Sequence, residues 1–160
     1  MQTMLKGEFP HNEFPHLVYI GCGPGLRSNL QAQLQLGFWQ TMFRRAIFEH
    51  VLDVPERPMT DKKYRGKLKK ARNEITSEIV SHFVFRYLPM EDFVFFQKWL
   101  VDKYRSQVWN RRKQEAPYFE ESYLEVEAKL MENPLVTFSE FKNHPESIPD
   151  EGGVYMIFRM

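Results

Sequence analysis

A single cysteine, Cys22, among 160 residues excludes an internal disulfide. No apolar run approaches the roughly 20 residues that a membrane span needs. Met1 to Phe9 lack the charged-then-apolar order of a signal peptide. Neither sign of charge dominates, since 22 Lys and Arg stand against 21 Asp and Glu for a net +1, so the total names no charged partner. His11, His16 and His50 have no companions at metal-ligand spacing, which predicts no zinc site. These absences predict a soluble, cytoplasmic chain in which Cys22 is a small residue in a turn. Against them stand 42% hydrophobic residues and 14 Phe, material enough for one folded domain over residues 1–160.

Glycine is also sparse, with eight in the chain, yet three of them fall within five positions. Leu17, Val18 and Ile20 read as a strand bounded by Pro15 and Gly21, and from Ser28 onward the pattern becomes helical. Gly21, Gly23 and Gly25 lie at that junction, where glycine allows close backbone approach to a ligand. Arg27 stands where the helix begins, beside backbone N–H groups that favour anions. A strand-to-helix turn without chemistry fits the same residues.

Along the chain, residues 2–9 predict a short strand, and Phe9 to Pro15 a loop. Leu30, Leu34, Phe38, Met42, Ala46 and Phe48 recur at helical spacing, interrupted at Gly37. Ser81 to Leu88 alternates Phe83, Phe85 and Tyr87 with His82, Val84 and Arg86, the pattern of a half-buried strand. A helix follows through Phe93, Phe96, Leu100 and Tyr104, with Glu91 and Asp92 in its first turn, and Gln97 borders its buried stripe. Another helix runs from Pro117 to residue 132 through Phe119, Tyr123, Val126 and Leu130. Thr137 to Glu140 has capping-box spacing. Val154 to Met160 is strand-like and must pair with an earlier strand or with a second subunit.

Between Lys62 and Arg72 stand seven cations, Lys62, Lys63, Arg65, Lys67, Lys69, Lys70 and Arg72, with no acid among them. Such a run suits a polyphosphate, because neutralising several phosphates releases counterions. A solvated helix face is the plainer alternative.

Ile148 to Phe158, with Gly152-Gly153-Val154-Tyr155, resembles the opening of a GIY-YIG nuclease domain, and Leu17-Val18-Tyr19-Ile20-Gly21 resembles its second signature strand. The order is reversed, as in a circular permutation cut within the family's first hairpin, and permutation is tolerated at exposed loop tips. The resemblance divides the chain into residues 17–110, from the second strand to a closing Asn110, a helical connection at 111–147, and the first signature strand at 148–160. It implies an α/β (α+β) fold, a small mixed or antiparallel sheet flanked by helices. It also implies an endonuclease acting on duplex or branched DNA with Mg²⁺ or Mn²⁺. Tyr155 and Tyr19 would be the site tyrosines, Arg27 the phosphate-positioning arginine and Asn110 the closing asparagine. In the commoner spacing the arginine falls at Asn29 instead. The family's metal-binding glutamate is here Gln97, which keeps a carbonyl oxygen and loses the charge that hard cations require. Two further readings stand beside the nuclease: a non-catalytic member of the fold that binds nucleic acid or protein, and a helical interaction domain. A strand-exchanged dimer would supply the same pairing from a second chain.

Overall fold

A computed structural model describes residues 15–35, 40–111 and 122–160. The strand expected at 2–9, the loop from Phe9 to Phe14, the interruption at Gly37 with Phe38, and the helix start at Pro117 and Phe119 lie outside the described residues. The elements are β1 (His16–Gly23), α1 (Leu26–Ala32), α2 (Met42–His50), α3 (Lys62–Lys70), α4 (Arg72–His82), β2 (Phe83–Pro89), α5 (Phe93–Lys103), α6 (Ser122–Glu132), β3 (Val136–Thr137), α7 (Phe138–Asn143) and β4 (Gly153–Arg159). The protein is therefore mixed α/β, with a four-stranded sheet in the order β1-β4-β2-β3, antiparallel throughout, and seven α-helices among the described residues.

β4 occupies an interior position because it is apolar in both phases. Val154, Met156 and Phe158 enter one core, Tyr155 and Ile157 the other, and every residue from Gly153 to Phe158 is buried. A strand buried on both faces reads as a continuous hydrophobic run. β1 pairs with β4 within the same chain, Tyr19 opposite Ile157 and Gly21 opposite Tyr155. β2 has the anticipated faces, with Phe83, Phe85 and Tyr87 on the side of Tyr155 and Val84 on the other.

Helices α1 to α4 and α7 cover the Tyr155 face, while α5 and α6 cover the opposite one through Phe96, Trp99, Leu100 and Tyr123. Thr137 caps α7 as its spacing predicts, accepting the Glu140 N–H at 3.0 Å. Ser81 and His82 differ from expectation, since they close α4 instead of opening β2. α4 itself has little apolar signal, burying only Ile75 and Ile79, one turn apart, among polar neighbours. Among the described residues no helix is long and apolar enough to cross a membrane.

Candidate functional site

A bulge at Val18 shifts the β1 register between Leu17 and Tyr19, so Val18 and Tyr19 both pack on the Tyr155 face. Bulges recur where a strand re-aims a side chain. Two positions further, Gly21 provides room for the Tyr155 ring. A Cβ at residue 21 would stand 2.2 Å from Tyr155 Cζ, and one at Gly23 would stand 2.8 Å from Asn29 Nδ2. These glycines are required for space, and what fills it is the Tyr155–Asn29 pair.

Tyr155 is 1% exposed. Its hydroxyl donates to Asn29 Oδ1 and accepts from Gln33 Nε2 at 3.1 Å. Gln33 is fixed in turn: its Oε1 accepts from the Thr41 hydroxyl at 2.6 Å and its backbone carbonyl from Arg44 Nη1 at 2.7 Å. Arg44, also 1% exposed, further donates to Thr76 Oγ1 at 2.8 Å, to the Arg72 carbonyl at 2.7 Å and to Gln40 Oε1. All these acceptors are neutral, and burial pulls its guanidinium down to about 10. Burial, with Tyr19 adding repulsion, pushes the Tyr155 phenol well above its ordinary value. Tyr155 is thus held as a neutral donor inside a closed network.

Tyr19 faces different surroundings. It lines a cleft of 560 Å³ together with Gln97, Lys98, Asn110 and Arg111, over Met42 and Val101. Burial, then the nearby Cys22, pushes its phenol up to about 12. Gln97 Nε2 donates to the Ile20 carbonyl at 3.0 Å. Asn110 brackets the same residue, donating to that carbonyl at 2.8 Å and accepting the Ile20 N–H at 3.1 Å. The Trp109 N–H donates to the Val18 carbonyl at 2.6 Å and Gln107 Nε2 to that of Leu17 at 3.3 Å. These side chains and the 107–110 segment therefore occupy the edge of β1 that β4 does not. Arg111 is paired with Glu49 and Glu56.

Of the residues singled out in the sequence, Tyr19, Gln97 and Asn110 share this cleft, whereas Tyr155 is sealed behind Gly21 and Arg27 does not line the cleft. Arg27 Nε donates to the Ile148 carbonyl at 2.8 Å. Next to it Asp150 accepts the Ser28 N–H at 3.0 Å and hydroxyl at 2.8 Å, and those bonds, the backbone one first, hold its carboxyl below the usual range. Arg27 thus helps fasten the 148–151 segment to the start of α1. Tyr155 and Arg27, which the resemblance groups with Tyr19 and Gln97, therefore stand outside the cleft, and the Tyr155 hydroxyl meets Asn29, at the alternative register position. Arg44, Lys98 and Arg111 were not anticipated. Asn29 and Gln33 do stand one helical turn apart, a spacing that predicts a shared face.

The donors of the cleft do not fit a divalent cation. Gln97 turns its amide nitrogen to Ile20, both amide atoms of Asn110 are engaged, and the charged lining residues are Lys98 and Arg111, whereas Mg²⁺ takes carboxylate oxygens. Among the described residues no three His, Cys, Asp or Glu side chains group as metal ligands. Asp92 begins α5 and accepts the Tyr123 hydroxyl, while His50 stacks on Trp109 with ring centroids 4.9 Å apart.

The predicted cationic run forms α3 and the start of α4. Tyr64 and Leu68 bury one stripe of it, Asp61 caps it by accepting the Tyr64 N–H at 3.0 Å, and Lys62, Lys63, Lys67, Lys69 and Lys70 are exposed. Arg65 donates to the Met59 carbonyl and Arg72 to that of Lys69. Compared with known proteins, the chain matches no family model, no curated protein and no solved structure.

Proposed function

We propose that the protein binds nucleic acid through phosphate contacts and, with Gln97 in place, does not hydrolyse it. The observation that carries this reading is the exposed lysine array of α3, where five lysines face solvent in nine residues without an acid between them. Lysines are point charges suited to phosphates more than to base edges, so binding is to be strongly salt-dependent and weakly sequence-dependent. The cleft supports the non-hydrolytic part, because its lining pairs neutral amides with cations. The cytoplasm, where a lone Cys22 stays reduced, is the setting this reading implies.

A metal-dependent nuclease is the second reading, favoured by the meeting of Tyr19, Gln97 and Asn110 in one cleft. One substitution separates the two. Gln97→Glu turns a carboxylate toward the Ile20 carbonyl in place of an N–H donor, an arrangement that a divalent cation would relieve. On the nuclease reading, Mg²⁺ or Mn²⁺ raises the melting temperature of the variant and supports cleavage of duplex or branched DNA. On the binding reading both proteins retain DNA in a gel-shift assay, neither cuts it, and the cation leaves the variant's melting temperature unchanged. Cleavage by the unsubstituted chain, or no DNA binding at low salt, overturns the proposal.

A further inference from the structure

Gly66 is the middle residue of α3, and a Cβ built there meets nothing within 4 Å. Glycine in an exposed helix interior costs stability relative to alanine, so neither packing nor backbone geometry explains its presence. Its surroundings are specific. The side chains adjacent on a helix surface are those three and four residues away, and for Gly66 all four are lysines: Lys62, Lys63, Lys69 and Lys70.

Two further features of this face also work against helix stability. Lys62 and Lys63 occupy the first turn, where the helix dipole disfavours cations, and Lys63 and Lys67 form a like-charged pair at i,i+4. Lys62, Lys63, Lys67 and Lys70 enter no ion pair among the described residues. Departures from local preference collected on one exposed face are expected where a surface serves binding.

Resting on the nucleic-acid reading above, we infer that Gly66 is the point of closest approach of a nucleic-acid backbone. The missing side chain lets one sugar-phosphate strand lie directly on the helix, with the four lysines closing around it. The helix rises about 12 Å from Lys62 to Lys70, so two lysines flank Gly66 on each side of the strand. An alanine at this position would stabilise the isolated protein and hold that strand away from the helix, so stability and binding should move in opposite directions.

The test measures anisotropy of a labelled duplex of about 20 base pairs over a salt series, with thermal melting of the same proteins. Gly66→Ala should raise the melting temperature by about 2–4 °C and weaken binding about threefold, and Gly66→Leu about tenfold with a shallower salt slope. The comparison is a Lys67→Ala, Lys69→Ala, Lys70→Ala triple variant. If the triple variant loses affinity while both Gly66 variants bind like the parent, the seat is refuted and the phosphate-binding reading survives. If the triple variant binds unchanged, that reading falls and the seat with it. Preference for polyglutamate over duplex, with the same dependence on Gly66, overturns a nucleic-acid partner.

Discussion

The Tyr155 hydroxyl donates its hydrogen bond to Asn29 Oδ1, from the face of β4 that lies over Gly21. A tyrosine that resembles a nuclease motif is therefore paired with an amide at the position where the commoner family spacing would carry arginine. Gln33 completes the pair from one helical turn away. The arrangement is neutral, closed and deep, and its first consequence is for stability.

Tyr155→Phe removes the hydroxyl and leaves Asn29 Oδ1 and Gln33 Nε2 without that partner. A lost buried hydrogen bond with an orphaned polar group costs about 1–2 kcal/mol. Urea unfolding should show the midpoint falling with an unchanged slope, and an unaltered midpoint would mean that the network contributes nothing.

Gly21→Ala should cost more than its one added methyl suggests. The Cβ would lie 2.2 Å from a ring atom of fully buried Tyr155, and overpacking of a core typically costs about 1–3 kcal/mol. The same substitution at Gly66 meets open space and should stabilise. Two alanines with opposite signs in thermal melting would confirm that Gly21 is there for space, and equal small effects would refute it.

Alkaline pH should unfold the protein through its buried phenols. Burial raises Tyr19 to about 12 and Tyr155 well above its ordinary value, while burial and Glu127 raise Tyr104. Unfolded tyrosine titrates near 10, so the unfolded state releases these protons first. The stabilisation is fully present below about pH 10 and is lost as pH rises through about 12. Ultraviolet absorbance of tyrosinate should show a cooperative step coinciding with loss of helical circular dichroism. Independent ionisation of all seven tyrosines near pH 10, with the fold intact, would contradict it.

The fold was legible where periodicity was strong. Phe83, Phe85 and Tyr87 marked β2, and Phe93, Phe96, Leu100 and Tyr104 marked α5, because burial of one stripe leaves an alternation or a 3.6-residue repeat. α4 was not legible, since Ile75 and Ile79 alone are too few to show a period. Within the site, Tyr19, Gln97 and Asn110 line one cleft, yet no periodicity links positions so far apart in the chain. The Arg44 network was not legible either, because two of its links run to the carbonyls of Gln33 and Arg72, and backbone acceptors carry no sequence signal. The bulge at Val18 puts the consecutive residues Val18 and Tyr19 on one face, and a one-residue shift leaves no compositional trace.

The position of β4 bears on how the chain is made. β1 and β2 are not adjacent in the sheet and each pairs with β4, yet β4 follows every other strand in the chain. On the ribosome, β1 waits more than 130 residues for the strand that completes it, since Gly21 pairs with Tyr155. Closing a loop of that length carries an entropic cost of about 4 kcal/mol beyond a constant. Until residues 153–159 clear the exit tunnel, β1 has no partner strand and β2 only the two-residue β3, and a nascent chain stalled before Gly153 should be open to proteases and a substrate for chaperones.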